Sequence, residues 1–477
     1  MSDTYASLLA IAVTTWTLVA ATADRRLFVA VLPHNAAWAL ALLIVGSGVM
    51  NYDPLSPFAW TVITASIVAF NLGVALTRRR TPRPDESSPA ASSPGESSPG
   101  GSSTAESTRP APTALTSRRV YVLLLLAFGL GFAIYLWTVQ SYYGLGTLLS
   151  DPSSIRAYTA GPGYLELFPL YGKVLFYLGP LCFALTVVPG LVAGLQDWSR
   201  ALRGVVAVLL LVAQAAALQR TNVFVAIVMV VGIALLRVGT APAGPRRALR
   251  GRHLVSLLAL AVAGVVAFQG IALVLGKTGT EDPSLGWSVD PALRDSPLIG
   301  VLHYAASGVP AFSKLTDSHD RSWPDPNDTG NAYGDHNPQT WGAATFSAPL
   351  KLVPGATRWE EIAPFTMLPA KTNVYTWLEP WYRDLRAPGA VLGALGIGML
   401  VGAAANAAAR SPRALVLGGM LLGFSGMATF VNRYTAVMSI VLYGVIWYLG
   451  RRPPAEGGPA AHGGRTAVGA PAGTVHR

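Results

Sequence analysis

The chain has little charge. Only 12% of its 477 residues are Asp, Glu, Lys or Arg, and a soluble domain carries roughly twice that share. It has one cysteine, Cys182, which excludes an internal disulfide. That cysteine lies in an apolar run, where packing is a better account of it than reactive-thiol chemistry. Acids are missing from the apolar runs altogether. A proton- or sodium-coupled transporter usually places an acid near the membrane midplane, so this absence weighs against one. Lysine is scarce and arginine supplies most of the positive charge, as in high-GC bacterial genomes. No basic n-region leads the first apolar run, and a second run follows at once, so no cleavable signal peptide is expected.

What the chain has instead is apolar length. It is 52% hydrophobic with a mean hydropathy of +0.43. The apolar residues fall in blocks of about 17 to 24, enough to cross roughly 30 Å of hydrocarbon as helices. Such blocks lie near 5–22, 27–50, 57–77, 120–139, 167–193, 203–219, 222–238, 254–275, 388–409, 414–430 and 434–449. The expected fold is therefore all-α, a polytopic membrane protein of about eleven spans.

Arginines mark alternate loops. Arg25 and Arg26 follow the first span, Arg78 to Arg80 the third, and Arg118 and Arg119 precede the fourth. Arg200 and Arg203, Arg237 to Arg252, Arg410 and Arg413, and Arg451 and Arg452 continue the pattern. The positive-inside rule then sets the N-terminus outside and the C-terminus in the cytoplasm. It also accounts for the net charge of +11 without nucleic acid as a partner.

Four regions follow. Residues 1–77 form an N-terminal three-helix membrane unit. Residues 78–119 are a cytoplasmic linker, whose Ser, Pro, Gly and Glu over 81–117 bury too little to fold. Residues 120–450 form an eight-helix core, and 451–477 a disordered tail. Within the core, 276–387 is an outer loop too long for a simple connection. It holds half of the 12 Trp, namely Trp287, Trp323, Trp341, Trp359, Trp377 and Trp381, and three histidines, His303, His319 and His336. Aromatic faces stack on sugar C–H faces; the alternative is that these rings form the loop's own core or an interfacial belt.

Two arginines break the orientation rule. Arg220 in Leu218-Gln219-Arg220-Thr221 and Arg433 in Val431-Asn432-Arg433-Tyr434 both occupy short turns on the expected outer side. A guanidinium there without a local acid suits an anion, and its planar fork matches phosphate. Snorkelling to lipid headgroups is the plainer account. Arg156, with Glu166 and Lys173, lies at the outer end of the fifth span and either joins the same cavity or pairs locally. The stretch Asp325-Pro326-Asn327-Asp328-Thr329-Gly330 begins like a calcium loop, but His336 stands where a bidentate Glu is needed. It reads as a polar turn, and no metal or other cofactor is expected. Glycines 393, 396, 398 and 402 read as a close helix-packing surface.

The segment Asn373-Val374-Tyr375-Thr376-Trp377-Leu378-Glu379-Pro380-Trp381-Tyr382-Arg383-Asp384, followed by Gly389 and a Gly-rich helix, resembles the oligosaccharide repeat-unit polymerases of the O-antigen polymerase (Wzy) type. That family commonly shows Asn-Val-Tyr-Thr, then Pro, an aromatic pair, Asp-Phe-Gly and a helix. The Arg220-Thr221 turn and the large late outer loop are similar too, and the resemblance covers roughly residues 120–450. Leu385-Arg386 stand where the family has Phe-Gly, and Glu379 where a basic residue is frequent.

The resemblance implies a metal-independent, membrane-embedded glycosyltransferase with a GT-C-like bundle. It would join polyprenyl-pyrophosphate-linked repeat units at the outer face of the bacterial cytoplasmic membrane. Arg220, Arg433 and Arg156 would bind pyrophosphate. Asp384 is the first candidate base, with His303 and His336 next. Asn373, Tyr375, Trp377, Trp381, Tyr382 and Arg383 would contact substrate. Besides the lipid-linked substrates and membrane lipids, the expected partners are a flippase and a chain-length regulator. The alternatives are a glycan ligase of related architecture, a lipid-linked oligosaccharide flippase or transporter, and a non-catalytic envelope scaffold.

Overall fold

The structure is a computed structural model that describes residues 2–77, 113–152, 154–155, 168–217, 220–240, 299–317, 341–350, 366–368 and 371–451, with 270 and 296 besides. Helices make up most of it. Those of seven or more residues are, in chain order, α1 (Ser2–Ala23), α2 (Arg25–Gly46), α3 (Pro57–Leu76), α4 (Arg118–Tyr142), α5 (Leu170–Phe176), α6 (Gly179–Val187) and α7 (Arg200–Ala216). Then come α8 (Arg220–Thr240), α9 (Ile299–Ala306), α10 (Gly308–Asp317), α11 (Glu379–Ala407), α12 (Pro412–Ser425) and α13 (Val437–Leu449). The described strands, β1 (Thr366–Met367) and β2 (Lys371–Thr372), form one two-residue antiparallel pair.

Lipid leaves a backbone no water to bond, so apolar runs of this length must satisfy their own amides as helices. Polar caps start several of them. Asp24 accepts the Arg26 amide at 2.8 Å, Ser56 the Ala59 amide at 3.1 Å, and Ser199 the Leu202 amide at 3.1 Å. Seven helices among the described residues are long and apolar enough to cross a membrane, with α5 and α6 acting as one interrupted span. The chain is thus membrane-embedded by length and composition. Helices occupy ten of the eleven expected blocks, and 254–275, apart from Gly270, lies outside the described residues. The sixth is α7, with Leu202, Val205, Val208, Leu209 and Val212 exposed along it.

The N-terminal helices are separate in sequence but not in space. One apolar core runs through α1 to α3 and the remaining helices alike. Helix α3 lies parallel to α11, where a Cβ on Gly398 would stand 2.2 Å from the Phe70 carbonyl oxygen. Asn406 Nδ2 donates to the Thr77 carbonyl at 2.7 Å at the far end of the same seam. Gly398 and Gly402 therefore do pack a helix closely, whereas Gly393 faces the Trp381 ring and Gly396 meets open space. Between α1, α2 and α3 a buried chain of amides adds directional bonds. Trp16 Nε1 donates to Asn71 Oδ1 at 3.0 Å, and Asn35 Nδ2 donates to Asn71 Oδ1 at 3.0 Å and to Thr17 Oγ1 at 2.9 Å. Each such bond contributes about 0.6 kcal/mol between membrane helices.

The expected linker is shorter than its composition implies. Residues 113–117 form a 3-10 turn with Leu115 wholly buried, and the Ala193 amide donates to the Thr116 carbonyl at 2.8 Å. Leu115 is an isolated apolar anchor that averaging over a polar stretch hides. Residues 78–112 and the tail from 452 lie outside the described residues. Deleting 84–110 is expected to leave membrane abundance and thermal stability unchanged. Carrying the deletion through 116 should lower the melting temperature, because removing a buried Leu costs about 2–5 kcal/mol. Equal melting of the two deletions in detergent would show that Leu115 anchors nothing.

Helix direction sorts the connections onto two faces. Gly232 meets Gly419 and Leu236 meets Gly418, so α8 and α12 are antiparallel; Gly239 meets Val29, so α8 and α2 are antiparallel as well. One face carries the ends near 24, 77, 117, 189–200, 240, 408–412 and 450. Arg25, Arg26, Arg118, Arg119, Arg200, Arg203, Arg410, Arg413 and Arg451 lie there. Aromatic rings hold several of them, with Arg413 4.3 Å from the Trp447 centroid and Arg118 6.0 Å from that of Trp198. The opposite face carries 47–56, 299–317, 341–350, 366–386 and 426–436.

Candidate functional site

On that opposite face an irregular segment enters the bundle. Residues 373–378 lead into α11, and Trp377 is fully buried. Its ring meets His34 at 5.9 Å, Phe70 at 6.1 Å and Tyr434 at 5.4 Å between centroids. His34 and Phe70 lie inside α2 and α3, well away from the ends of those helices. The Trp377 amide donates to the Ala428 carbonyl at 2.8 Å, just past the end of α12. Non-helical backbone at membrane depth is tolerated where protein or a polar cavity satisfies it.

The arginine turn lies alongside. Helices α12 and α13 have 14 and 13 residues, or roughly 20 Å each, short of the roughly 30 Å of hydrocarbon. The irregular 426–436 connection joins them and packs against the entering segment through the Trp377–Ala428 bond. Arg433 is half-buried in it. Ser439 Oγ donates to the Arg433 carbonyl, and the Tyr434 amide to Asn432 Oδ1 at 2.9 Å. Arg220 is the first residue of α8. One turn later Phe224 stands 5.9 Å from Phe430, so the start of α8 and the Arg433 turn are neighbours.

Helix α9 backs this turn. Thr429 Oγ1 donates to the Ala305 carbonyl at 3.3 Å, and Tyr304 stands 5.4 Å from Phe430. His303 is buried on the same helix, with Nδ1 3.1 Å from the Tyr52 hydroxyl. Tyr52 belongs to the α2–α3 connection, and burial pushes its phenol above its ordinary value. It is therefore a neutral hydroxyl at any ordinary pH. Beside it, Lys314 and Asp53 pair at 3.2 Å.

Asp384 is buried at the break in α11. Its Oδ1 accepts the Ala344 amide at 3.1 Å and its Oδ2 the Thr345 amide at 2.8 Å. Both oxygens thus hold the 341–346 turn against the helix. Arg383, itself buried, pairs with Glu379 one turn earlier. The aromatics expected to meet substrate are mostly enclosed. Tyr375, Trp377 and Tyr382 are buried, and Tyr382 Oη donates to the Thr316 carbonyl at 3.5 Å. Trp381 and Asn373 are half-buried, while Trp341 is 76% exposed. Lys173 is buried in α5. Arg156, Glu166, His319, His336, the 325–330 turn, Trp287, Trp323, Trp359 and the Arg220 side chain lie outside the described residues.

The break itself bears on the motif. Leu385 and Arg386 leave helical geometry, and Arg386 has φ 56° and ψ −146°. Pro388, two residues on, removes a donor and disfavours helix before it. A positive φ there suits glycine, the residue the resembling family carries at this place, and costs a side-chain-bearing residue about 1–3 kcal/mol. Arg386 offsets part of this by lying 5.8 Å from the Tyr382 ring centroid. Arg386→Gly is accordingly expected to melt higher than Arg386→Ala, which keeps the strain and loses the ring contact. In an ordinary helix the order is reversed by about 1 kcal/mol, so a higher melting point for Arg386→Ala in detergent would refute strain here.

Two features escaped the sequence reading. Tyr52 carries no motif, and only its place opposite His303 distinguishes it. His34, Asn35 and Asn71 had a signal, since polar side chains inside apolar runs are costly; a search confined to acids passes them over. Trp38 Nε1 donates to His34 Nε2 at 3.1 Å, and His34 stacks on Phe70 at 3.8 Å. That cluster joins the N-terminal helices to Trp377. Compared with protein-family models, curated proteins and solved structures, the chain matches none.

Proposed function

We propose that this chain is a membrane-embedded glycosyltransferase with a GT-C-like bundle of about eleven spans, which polymerises polyprenyl-pyrophosphate-linked oligosaccharide repeat units. One observation carries the reading. The Arg433 turn, the start of α8 at Arg220, the entering segment 373–384 and His303 converge on one face, opposite the arginine-rich connections. By the positive-inside rule that face is the outer one, where lipid-linked repeat units are presented.

The chemistry suits these side chains. The acceptor hydroxyl oxygen attacks the anomeric carbon of the donor glycan and forms the new C–O bond. The bond from that carbon to the pyrophosphate oxygen breaks, and its electron pair leaves with polyprenyl pyrophosphate. Guanidinium groups of Arg433 and Arg220 would stabilise the growing charge. The hydroxyl proton passes to a base. Asp384 and His303 are the candidates among the described residues: both Asp384 oxygens hold backbone amides, and His303 Nδ1 lies 3.1 Å from the Tyr52 hydroxyl. Holding two long lipid-linked substrates in line supplies much of the remaining acceleration.

Purified protein in proteoliposomes, given a polyprenyl-pyrophosphate oligosaccharide, is expected to produce a ladder of glycans and release polyprenyl pyrophosphate. Transfer to a different acceptor without a ladder would favour a ligase. Translocation without any new glycosidic bond would overturn the glycosyltransferase reading.

A further inference from the structure

Among the described residues, α7 stands off the bundle at the end that carries arginine. No residue from Arg200 to Leu209 is buried, and the first buried one is Leu210. A Cβ on Gly204 would find nothing within 4 Å. Val206, Ala207 and Leu211 still pack partly against the core, so they mark the inward side of the helix. Arg203 lies on that side, one turn before Val206 and Ala207. Its Nε is buried and meets no hydrogen-bond partner among the described residues. A snorkelling arginine turns its donors outward to the headgroup layer. Arg203 keeps one donor inside, and a buried donor without a partner is costly.

The wall beside it is fixed. Residues 188–199 join α6 to α7. The Ala193 amide ties them to the Thr116 carbonyl at 2.8 Å, and Arg237 Nη1 donates to the Pro189 carbonyl. The Arg118 guanidinium and the Tyr121 ring each lie 6.0 Å from the Trp198 centroid. Arg118, Arg200, Arg203 and Arg237 thus border one connection, whose own acid is Asp197. Outward from Arg203, Leu202, Val205, Val208, Leu209 and Val212 form an exposed apolar stripe. The stripe rises roughly 15 Å, half of the roughly 30 Å of hydrocarbon and so the depth of one leaflet.

We propose that this crevice binds an anionic phospholipid. Arg203 takes the headgroup phosphate, Arg118 and Arg200 flank it, and an acyl chain lies along the α7 stripe. A phosphate oxygen accepts the Nε proton, and the guanidinium fork matches two such oxygens. Basic pockets between helices on the cytoplasmic side suit these headgroups, and by the positive-inside rule this face is the cytoplasmic one. The site is separate from the one proposed for glycosyl transfer and does not depend on it.

The test uses full-length protein in a neutral detergent, washed free of lipid phosphorus and titrated with phosphatidylglycerol or phosphatidylcholine while its melting temperature is followed. Phosphatidylglycerol should raise the melting temperature to a plateau, because a ligand bound by the folded state stabilises it. Phosphatidylcholine, whose choline neutralises its phosphate, should not. Arg203→Gln should raise the half-saturating phosphatidylglycerol concentration about tenfold, as expected for a lost hydrogen bond to a charged group. Arg203→Lys keeps the charge without Nε and should lie between. Arg410→Gln removes an exposed arginine from the same face, at the α11–α12 connection, and should change nothing. Equal weakening by Arg203→Gln and Arg410→Gln would mean diffuse attraction of the whole surface, and the proposal falls. It falls too if phosphatidylcholine stabilises as well as phosphatidylglycerol, which would make the crevice merely apolar. No shift with either lipid would also overturn it, and would point to another segment of this chain as the occupant.

Discussion

Arg433→Ala is expected to abolish chain extension while the protein accumulates normally in the membrane. Two hydrogen bonds in the turn do not involve the guanidinium. Ser439 bonds the Arg433 carbonyl, and Asn432 holds the Tyr434 amide. What truncation removes is a cation fixed at the mouth of the bundle, beside the start of α8. A fixed donor aimed at charge that grows in the transition state is worth about 10²–10³ in rate. Arg433→Lys keeps the charge and loses the fork that grips two phosphate oxygens. Its rate should fall between wild type and Arg433→Ala, and Arg220→Ala should resemble Arg433→Ala. Rates of polyprenyl pyrophosphate release in proteoliposomes, normalised to protein, decide this. Wild-type rates for both alanine variants would mean that each arginine only snorkels to lipid headgroups.

Gly308→Ala should be nearly as damaging, through one methyl group. A Cβ at Gly308 would stand 1.9 Å from the Thr429 carbonyl oxygen and 3.2 Å from the Thr376 amide nitrogen. Both are backbone atoms, so no side-chain rotation relieves the clash. Helix α10, the 426–436 turn and the entering segment meet at this glycine, and at least one must move by about an ångström. A displacement of that size at a reacting centre costs on the order of 10² in rate. Gly396→Ala is the matched control, because nothing lies within 4 Å of its added carbon. Alanine favours helix over glycine by about 1 kcal/mol, so any loss at Gly308 comes from the close approach and not from propensity. Equal activities for the two variants would show that the three segments need not meet.

The helices were legible because lipid permits one local solution. An apolar run of about twenty residues must close its own hydrogen bonds, and ten expected blocks coincide with helices. The arginine alternation was legible for the same reason. Charge stays at helix ends, and tertiary contacts bring the marked ends onto a single face. The site was legible only in part. Arg433, Arg220 and His303 stood out as residue types in unusual places, and the structure gathers their segments. Asp384 stood out by motif, yet its oxygens hold the 341–346 turn. Trp377 stood out as a sugar-stacking ring and Tyr382 as a substrate contact, yet they face protein. An aromatic or a carboxylate looks the same in sequence whether it meets a ligand or a neighbouring loop.

Composition and periodicity determined the class of the protein, the places of its helices and the end of each that carries arginine. These are local properties, set by the transfer of each segment into hydrocarbon. Tertiary structure alone decided that α3 would lie along α11 despite the linker between them. It also decided that the 47–56 connection would reach His303 and that the segment at 373–384 would enter the bundle under Arg433. Those pairings join residues far apart in sequence, and they depend on which backbones can approach across Gly398 and Gly308. No periodicity encodes a close approach, because it is a property of two surfaces together.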